Sequence, residues 1–257
     1  MRLVRYYLNG QILYGVLEGQ VIRTLARPPF EGIKETGATV PLEQVRLLAP
    51  CAPSKIIALG LNYLDHAAEF GRAVPDEPLI FMKPSTSVVG PEDDIVYPRM
   101  ARRVDYEAEL AVVIGRVCRH VRQEAFRDCI LGYAAINDVT ARDLQKKDGQ
   151  FTRSKSFDTF APLGPWIETE IPDPDNLTVE AYLNGERRQH SSTGNMVFPV
   201  AALVAFISRI MTLLPGDVIA TGTPSGIGPM REGDVVEVRV QGIGSLRNRV
   251  VAERVIE

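Results

Sequence analysis

The sequence predicts an α+β fold that is mainly β, with a large mixed sheet of barrel-like form. Short runs rich in Val, Ile, Leu and Tyr are separated by turn residues, and they outnumber the segments with helical spacing. Asn184-Gly185, which follows the run 177–183, is a strong hairpin signal. No internal repeat or low-complexity segment occurs, which excludes a solenoid.

The first 53 residues are predicted to form a small β-rich domain. Asn9-Gly10 and Glu18-Gly19 separate short runs of Leu, Val, Ile and Tyr, a pattern that predicts a hairpin or a meander. The proline-containing stretch 41–53 is typical of a connector. A second domain, residues 54–257, then begins with the apolar run 55–60.

Strands dominate the second domain, and two helices are predicted within it. The apolar runs 218–221 and 235–240 are predicted to be strands. The segment 199–214 places its apolar side chains on one stripe, and Pro215 ends this helix. A shorter helix is predicted over about residues 123–131.

Size and composition restrict the class of protein. With 257 residues, of which 45% are hydrophobic, the chain can bury a core, and its net charge of −3 gives no electrostatic footprint for nucleic acid. No segment approaches the roughly 18 to 20 consecutive apolar residues that span a bilayer, and no secretory signal is evident. The three cysteines form neither a disulfide framework nor a zinc motif. We therefore expect a cytoplasmic protein that binds neither nucleic acid nor membrane.

Three carboxylates have the placement that a divalent-metal site requires. Glu107 and Glu109 precede the apolar stretch 110–114, which predicts one buried strand with both acids on the same face. Asp138 ends a second strand-like run, 133–137. Carboxylates held together near a core repel each other unless a cation or proton lies between them, and oxygen ligands suit Mg²⁺, Mn²⁺ or Ca²⁺ better than zinc. The alternative is that these acids decorate a solvated strand edge.

A histidine and a glutamate form a candidate catalytic pair. If residues 61–71 form one or two helical turns, His66 and Glu69 lie at i and i+3 and can touch. A carboxylate beside an imidazole fixes its tautomer and raises its basicity, as a general base requires. This segment is short, ends at Gly71 and precedes a polar loop, so we name residues 61–71 the lid segment. The alternative is an ordinary His–Glu pair on a surface helix.

Further polar residues follow the acids along the chain. Arg142, Gln145 and Lys155 come soon after Asp138, and cations at such a place could bind a substrate carboxylate or a developing oxyanion. The glycine-rich loop 221–228 follows an apolar strand, and its backbone N–H groups with the Thr223 hydroxyl could hold an anion. A purely structural loop is the alternative, since no dinucleotide or Walker pattern is present.

Together these segments resemble the fumarylacetoacetate hydrolase family. The resemblance covers about residues 55–250, in the family's order. The matching stretches are Gly60-Leu61-Asn62-Tyr63 through His66 and Glu69, Asp105-Tyr106-Glu107-Ala108-Glu109-Leu110, Asn137-Asp138 through Gln145, Arg153-Ser154-Lys155-Ser156-Phe157-Asp158, and Thr221-Gly222-Thr223-Pro224-Ser225-Gly226-Ile227-Gly228. Each stretch alone is a weak signal, and the five in register identify the family. The His-x-x-Glu spacing is similar to the acylpyruvase and 2-hydroxyhepta-2,4-diene-1,7-dioate isomerase branch.

The resemblance implies a fold, a metal and a set of roles. It implies a mixed β-roll or partly open barrel, a homodimer, and Mg²⁺ or Mn²⁺ as the cofactor, with Ca²⁺ as a non-native occupant. The implied metal ligands are Glu107, Glu109 and Asp138, and the implied catalytic residues are His66, Glu69 and Lys155. The implied substrate-contacting residues are Arg142, Gln145, Thr223 and Tyr63.

The chemistry expected of such a site concerns 2-oxo acids. A cation there would polarise the 2-oxo carbonyl and stabilise an enolate, so hydrolytic cleavage of the C–C bond of an acylpyruvate is expected. Decarboxylation or tautomerisation of oxaloacetate and isomerisation of a dienedioate are alternatives on the same site. Two alternatives have no catalytic activity. One is a metal-dependent oxo-acid binding protein, and the other is a protein with a structural Ca²⁺ site.

Overall fold

The protein is described by a computed structural model that covers residues 1–69, 71 and 73–254. Strands predominate, with a few short helices between them. The strands before residue 54 are β1 (Arg2–Leu8), β2 (Gln11–Glu18), β3 (Val21–Leu25), β4 (Glu35–Pro41) and β5 (Arg46–Leu48). Those up to residue 141 are β6 (Lys55–Gly60), β7 (Leu79–Pro84), β8 (Val88–Val89), β9 (Asp94–Tyr97), β10 (Val104–Tyr106), β11 (Ala108–Ile114), β12 (Ile130–Asn137) and β13 (Thr140–Ala141). The remainder are β14 (Ala161–Glu168), β15 (Thr178–Leu183), β16 (Glu186–Ser192), β17 (Val218–Ala220), β18 (Gly228–Met230), β19 (Val235–Val240) and β20 (Gly244–Ala252).

The helices are short and lie between strands. The α-helices are α1 (Leu64–Glu69), α2 (Arg142–Asp148), α3 (Thr152–Lys155) and α4 (Val200–Ile210). Short 3₁₀ helices occur at Pro29–Glu31, Leu42–Gln44, Ser85–Ser87, Gln123–Cys129 and Thr193–Asn195. In the part of the chain that the structure describes, no helix is long and apolar enough to cross a bilayer.

Within residues 1–69, 71 and 73–254, the strands form three sheets. The largest has the order β4-β3-β2-β1-β14-β12-β11-β17-β6-β7, with β5 added to β1 and β8 added to β14. A five-stranded sheet has the order β16-β15-β19-β20-β9, and a three-stranded sheet the order β13-β10-β18. Most pairs are antiparallel, but β17 with β6, β14 with β8, and β20 with β9 are parallel. The predicted α+β fold, mainly β and with a mixed β-roll or partly open barrel, is confirmed, and the described strands do not form a closed barrel.

The N-terminal strands form the predicted meander. Asn9 and Gly10 have positive φ angles of 49° and 83°, the left-handed conformations that a tight hairpin needs. Strand β1 also pairs with β14, with Arg2 opposite Glu168 and Leu3 opposite Ile167. The division of the chain at residues 53 and 54 stays a prediction, and the large sheet is continuous across it.

The predicted helix over 199–214 is wrong at its C-terminal end. Helix α4 stops at Ile210, and Met211 already has extended backbone angles. The reason is tertiary: Leu213 and Cys118 exchange two backbone hydrogen bonds of 2.9 Å, and this β-bridge takes the chain out of the helix. Past the helix, Leu213 is buried in the core, whereas Leu214 is exposed.

The second predicted helix, over 123–131, is also corrected. Residues Gln123–Cys129 form a 3₁₀ helix, and Ile130 already begins β12. Ile130 lies opposite Ile114 in the ladder between β11 and β12, so sheet pairing overrides the local helical pattern at this end.

A third correction concerns the run 104–114, which was predicted to be one strand. It divides at Glu107 into β10, which pairs with β13 and β18, and β11, which pairs with β12 and β17. The backbone N–H of Glu107 donates to the side chain of Asn137 (2.9 Å) instead of to a neighbouring strand. Glu107 therefore lies where the chain passes from the small three-stranded sheet to the large one.

The large sheet carries a core on each face. Leu110 and Val112 of β11 face a core that also contains apolar residues of α4, β19 and β20. Ala111 and Val113 face a second core, beneath the N-terminal strands. Because side chains alternate along a strand, Glu109 lies on the same face as Ala111 and Val113.

Candidate active site

Three buried carboxylates meet at the break between β10 and β11. Glu107 lies at the break, Glu109 lies on β11, and Asp138 follows directly after β12. One ligand oxygen from each lies within 4.8 Å of the other two. A backbone hydrogen bond of 2.9 Å from the N–H of Asp138 to the carbonyl of Glu107 helps to join the two segments. Since all three residues are buried, the reading as a solvated strand edge is excluded.

The environments of Glu107 and Glu109 differ sharply. Burial raises the pKa of Glu107, but Lys155 and Arg142 outweigh it and hold that pKa well below its ordinary value. Lys155 Nζ lies 2.7 Å from Glu107 Oε2. Burial raises the pKa of Glu109 well above its ordinary value, and the charges of Asp138 and Glu107 raise it further. In the absence of a cation, Glu109 is therefore the uncompensated member of the cluster.

The donor set fits a hard divalent cation. All three groups offer carboxylate oxygens, the ligands that Mg²⁺, Mn²⁺ and Ca²⁺ prefer, and no sulfur or imidazole belongs to the cluster. Within the described residues, Glu109 has no ion pair, and its Oε2 accepts one hydrogen bond of 2.8 Å from the Gly222 N–H. A cation between the three groups would compensate the charge that no side chain compensates.

Two lysines bind the cluster, and sequence reasoning found only one of them. Lys155, at the end of α3, donates to Asp138 Oδ2 (2.5 Å) as well as to Glu107. Lys83 of β7 is completely buried, and its Nζ bonds Asp138 Oδ1 and the carbonyl of Val139. Burial lowers the pKa of Lys83, although Asp138 opposes that shift. The available signal was a single lysine inside the apolar run 79–84.

Arg142 and Gln145 form one unit at the start of α2. The guanidinium of Arg142 bonds the second oxygen of Glu107, and its Nε donates to Asp105 Oδ2 at 2.9 Å. Its Nη1 donates to Gln145 Oε1 at 2.7 Å. The buried Asp105, which sequence reasoning did not assign a role, therefore orients Arg142 and also binds Arg103. Three of the five N–H donors of this arginine are engaged by protein groups.

The lid segment places the His–Glu pair beside the acids. His66 Nδ1 lies 3.2 Å from Glu69 Oε2 on α1, as the i, i+3 spacing predicts. His66 lies close enough to Glu107 that positive charge on the imidazole lowers the pKa of that carboxyl, though less than Lys155 does. Phe70 and Arg72, which belong to the predicted lid and its following loop, lie outside the described residues.

Among the described residues, hydrogen bonds of Asp65 and Glu69 attach α1 to other parts of the protein. Asp65 Oδ2 accepts a hydrogen bond of 2.8 Å from Ser191 Oγ on β16. Glu69 Oε1 accepts one of 3.3 Å from the backbone N–H of Gly226, in the glycine-rich loop. The helix that carries His66 is thus held by strand β16 on one side and by the glycine-rich loop on the other.

Tyr63 and Thr223 lie at the edge of the carboxylate cluster. Tyr63 is completely buried, and its hydroxyl has no partner among the described residues. Burial raises the pKa of Tyr63, and the charge of Glu109 raises it further. The Thr223 hydroxyl donates to the carbonyl of Ala108 (2.9 Å) and accepts from Gln189 Nε2 (2.9 Å). Sequence reasoning did not identify Gln189.

The backbone of the glycine-rich loop approaches the cluster closely. Gly222 has a φ of +98°, and a Cβ at this position would lie 2.9 Å from the Cβ of Asn62. Only glycine fits there without strain, and the close approach lets the Gly222 N–H reach Glu109. This loop therefore contributes a backbone donor to the carboxylate cluster, and its predicted role in holding a substrate anion stays a prediction.

Comparison with known proteins identifies the family of both parts of the chain. The family model described as fumarylacetoacetate (FAA) hydrolase C-terminal matches residues 55–251. A second family model, described as Rv2993c-like N-terminal, matches residues 1–50. An uncharacterised protein from Archaeoglobus fulgidus is 53% identical over 249 residues, which cover 96% of this chain and 95% of that protein.

Solved structures resemble the whole chain. A 2-hydroxyhepta-2,4-diene-1,7-dioate isomerase from Mycobacterium marinum is 45% identical with a TM-score of 0.92, and the match covers 98% of this chain and 99% of the other. A maleylpyruvate hydrolase from Sphingobium sp. SYK-6, solved with manganese(II) ion and pyruvate, is 33% identical with a TM-score of 0.83, covering 99% of this chain and 100% of the other. This protein is therefore a member of the fumarylacetoacetate hydrolase family.

Proposed function

We propose that this protein is a Mg²⁺- or Mn²⁺-dependent enzyme that hydrolyses a C–C bond of an acylpyruvate, a 1,3-diketo acid. The observation that carries the proposal is the position of the His66–Glu69 pair beside three buried carboxylates that fit a divalent cation. The related hydrolase solved with manganese(II) and pyruvate supports both the metal and the substrate class. Glu107, Glu109 and Asp138 would hold the cation.

The cation and the protein divide the chemistry between them. When bound, the cation would supply Lewis acidity toward the carboxylate and 2-oxo oxygens of the substrate. Lys155 has three N–H donors, of which Glu107 and Asp138 engage two, so one remains for the substrate. Arg142 retains two N–H donors on its terminal nitrogens, and both side chains would stabilise negative charge as it develops.

His66 would act as the general base. Glu69, whose Oε2 lies 3.2 Å from Nδ1, would orient the imidazole, and His66 would accept a proton from water. The resulting hydroxide adds to the C4 carbonyl, and the bond between C3 and C4 breaks with its electron pair passing to C3. His66 then returns the proton to C3. The products are pyruvate and the carboxylic acid of the acyl group, and one water is consumed.

The test is metal-dependent turnover of the purified protein. Fumarylpyruvate and oxaloacetate are supplied separately with Mg²⁺ or Mn²⁺, each with a chelator control, and pyruvate is measured. Chelator-sensitive release of pyruvate together with fumarate from fumarylpyruvate is the expected result. Pyruvate and CO₂ from oxaloacetate alone would replace hydrolysis by decarboxylation and remove the water-activating role of His66.

Isomerisation is the second candidate. The related isomerase is 45% identical to this chain and the related hydrolase 33%, which favours a shift of a double bond in a dienedioate. The two reactions differ in carbon count, since an isomer retains every carbon and hydrolysis gives two fragments. Product analysis by NMR separates them. In the isomerase, His66 or Lys155 would move a proton between two carbons of the substrate without consuming water.

We also propose that the protein is a cytoplasmic homodimer, as the family resemblance implies. Light scattering of the purified protein at several concentrations tests the dimer, and a mass of one chain at every concentration would contradict it. Fractionation of the source cells tests the location.

A further inference from the structure

The backbone of Ala108 lies between two of the three carboxylates. Ala108 separates Glu107 from Glu109, at the point where β10 ends and β11 begins. Any movement of this residue changes the distance between the two acidic side chains. The hydrogen bonds to the N–H and the carbonyl of Ala108 therefore help to determine the positions of the Glu107 and Glu109 carboxylates.

Both polar groups of Ala108 are held by side chains. Its N–H donates to Gln189 Oε1 at 2.9 Å, and its carbonyl accepts from Thr223 Oγ1 at 2.9 Å. Gln189 Nε2 in turn donates to Thr223 Oγ1 at 2.9 Å. The three residues thus form a closed ring of hydrogen bonds around this part of the backbone.

Gln189 can hold this position firmly because its amide is fully engaged. It lies on β16 and is only 1% exposed. Its Oε1 accepts from Ala108, and its Nε2 donates to Thr223 and to the carbonyl of Pro224 at 2.8 Å. A buried polar group whose bonds are all made is costly to disturb, because each broken bond leaves an unpaired partner without water.

We propose that Gln189 is a positioning residue for the divalent cation: with the Thr223 hydroxyl, it fixes the backbone between Glu107 and Glu109. This inference rests on the metal site of the proposed function, and it assigns a role to a residue that touches neither cation nor substrate. It also gives the Thr223 hydroxyl a role separate from substrate binding, since its single proton is already donated to Ala108.

The expected effect is a loss of metal affinity in a protein that still folds. Gln189→Met keeps the length and volume of the side chain but removes its acceptor and both donors. The backbone at Ala108 then loses one of its two side-chain anchors, and we expect the dissociation constant for Mn²⁺ to rise about 10- to 100-fold. Gln241→Met is the matched control, because Gln241 also accepts from a backbone N–H, that of Thr178, but is exposed and lies outside the site.

The experiment is a double-mutant cycle on Mn²⁺ affinity, measured by calorimetry on metal-free protein. The variants are Gln189→Met, Thr223→Val and their combination, with Gln241→Met as the control. Because Gln189 and Thr223 belong to one ring, the double variant should lose less affinity than the product of the two single losses. Affinities within twofold of wild type for folded Gln189→Met, or strictly multiplicative losses, would overturn the proposal. If Gln189→Met does not fold, Thr223→Val decides alone, and unchanged Mn²⁺ affinity in that variant overturns it.

A second readout separates this inference from the proposed function. Absence of Mn²⁺ binding by the wild-type protein would remove the proposed function, but hydrogen exchange of the Ala108 amide would still test the anchor. We expect that amide to exchange about tenfold faster in Gln189→Met than in Gln241→Met. Equal exchange rates would show that Gln189 does not hold this backbone.

Discussion

Replacing Glu109 by Gln should stabilise the metal-free protein while it weakens the metal site. Gln keeps an oxygen that can accept from the Gly222 N–H, so the backbone contact of 2.8 Å survives. It removes the negative charge that, within the described residues, no ion pair compensates. A purely structural glutamate would show the opposite result, since its loss would destabilise the protein.

The magnitude follows from the distances within the cluster. The three ligand oxygens lie within 4.8 Å of one another. Two like charges at such a distance repel by about 3–4 kcal/mol at an effective dielectric constant of about 20. Lys155 contacts both neighbouring carboxylates and offsets part of this repulsion. We therefore expect Glu109→Gln to raise the free energy of unfolding of the metal-free protein by about 1–4 kcal/mol at neutral pH.

The sign of the pH dependence follows from the raised pKa of Glu109. Above the unfolded-state pKa of about 4.3, the unfolded chain has released this proton while the folded protein still holds it. Stability of the wild type therefore falls as pH rises, by about 1.4 kcal/mol per pH unit, until the folded pKa is reached. The Glu109→Gln side chain has no acidic proton to release. The difference in free energy of unfolding between the variant and the wild type is therefore absent below about pH 4 and grows as pH increases.

The assay is urea unfolding followed by the fluorescence of Trp166, the one tryptophan of the chain. Wild type, Glu109→Gln and the control Glu170→Gln, whose side chain is 79% exposed, are compared with chelator at several pH values. Mn²⁺ at about 100 times its dissociation constant should then stabilise the wild type by about 2.7 kcal/mol and Glu109→Gln far less. A variant that is less stable than wild type with chelator, and equally stabilised by Mn²⁺, would refute the reasoning.

Three further substitutions test other parts of the site. His66→Ala should lower turnover by about 10²- to 10⁴-fold with Mn²⁺ affinity retained, and an unchanged rate would assign this histidine to packing. Lys83→Met leaves Asp138 without one of its two buried cations, so the free energy of unfolding should fall by about 3–5 kcal/mol. Urea titrations with chelator measure this loss, and a loss below about 1 kcal/mol would contradict the role of Lys83 as a partner of Asp138. Ser191→Ala removes the hydrogen bond to Asp65 of α1 and should lower kcat/KM about tenfold without changing the urea midpoint. A kcat/KM equal to that of the wild type would show that this contact does not hold the lid segment.

The parts of the site that depend on short-range spacing could be predicted from the sequence. His66 and Glu69 are close because three residues on a helix bring side chains together, whatever the remainder of the fold does. Glu107 and Glu109 bring their carboxylates to one cluster although the strand is broken between β10 and β11. The hairpin turn at Asn9-Gly10 is likewise a property of a few adjacent residues.

The parts that depend on distant segments could not be predicted in this way. Lys83 lies in an apolar run, and nothing local indicates that its ammonium reaches Asp138, 55 residues away in the chain. The strand break at Glu107 depends on the side chain of Asn137, and the anchor of Ala108 depends on Gln189, 81 residues further on. Sequence patterns describe which face a residue occupies, but they do not give the partners that tertiary contacts bring to that face.

The pairing of β1 with β14 means that truncating the protein before residue 54 would change the large sheet. A fragment that starts at residue 54 would lose the strand opposite Ile167, and the apolar residues Ala161 and Leu163 would lose the N-terminal residues of their core. An unpaired edge with an exposed apolar face is a template for pairing with another chain. Such a fragment would retain every residue of the candidate site and still be prone to self-association, so the N-terminal strands protect the sheet that carries the chemistry from aggregation.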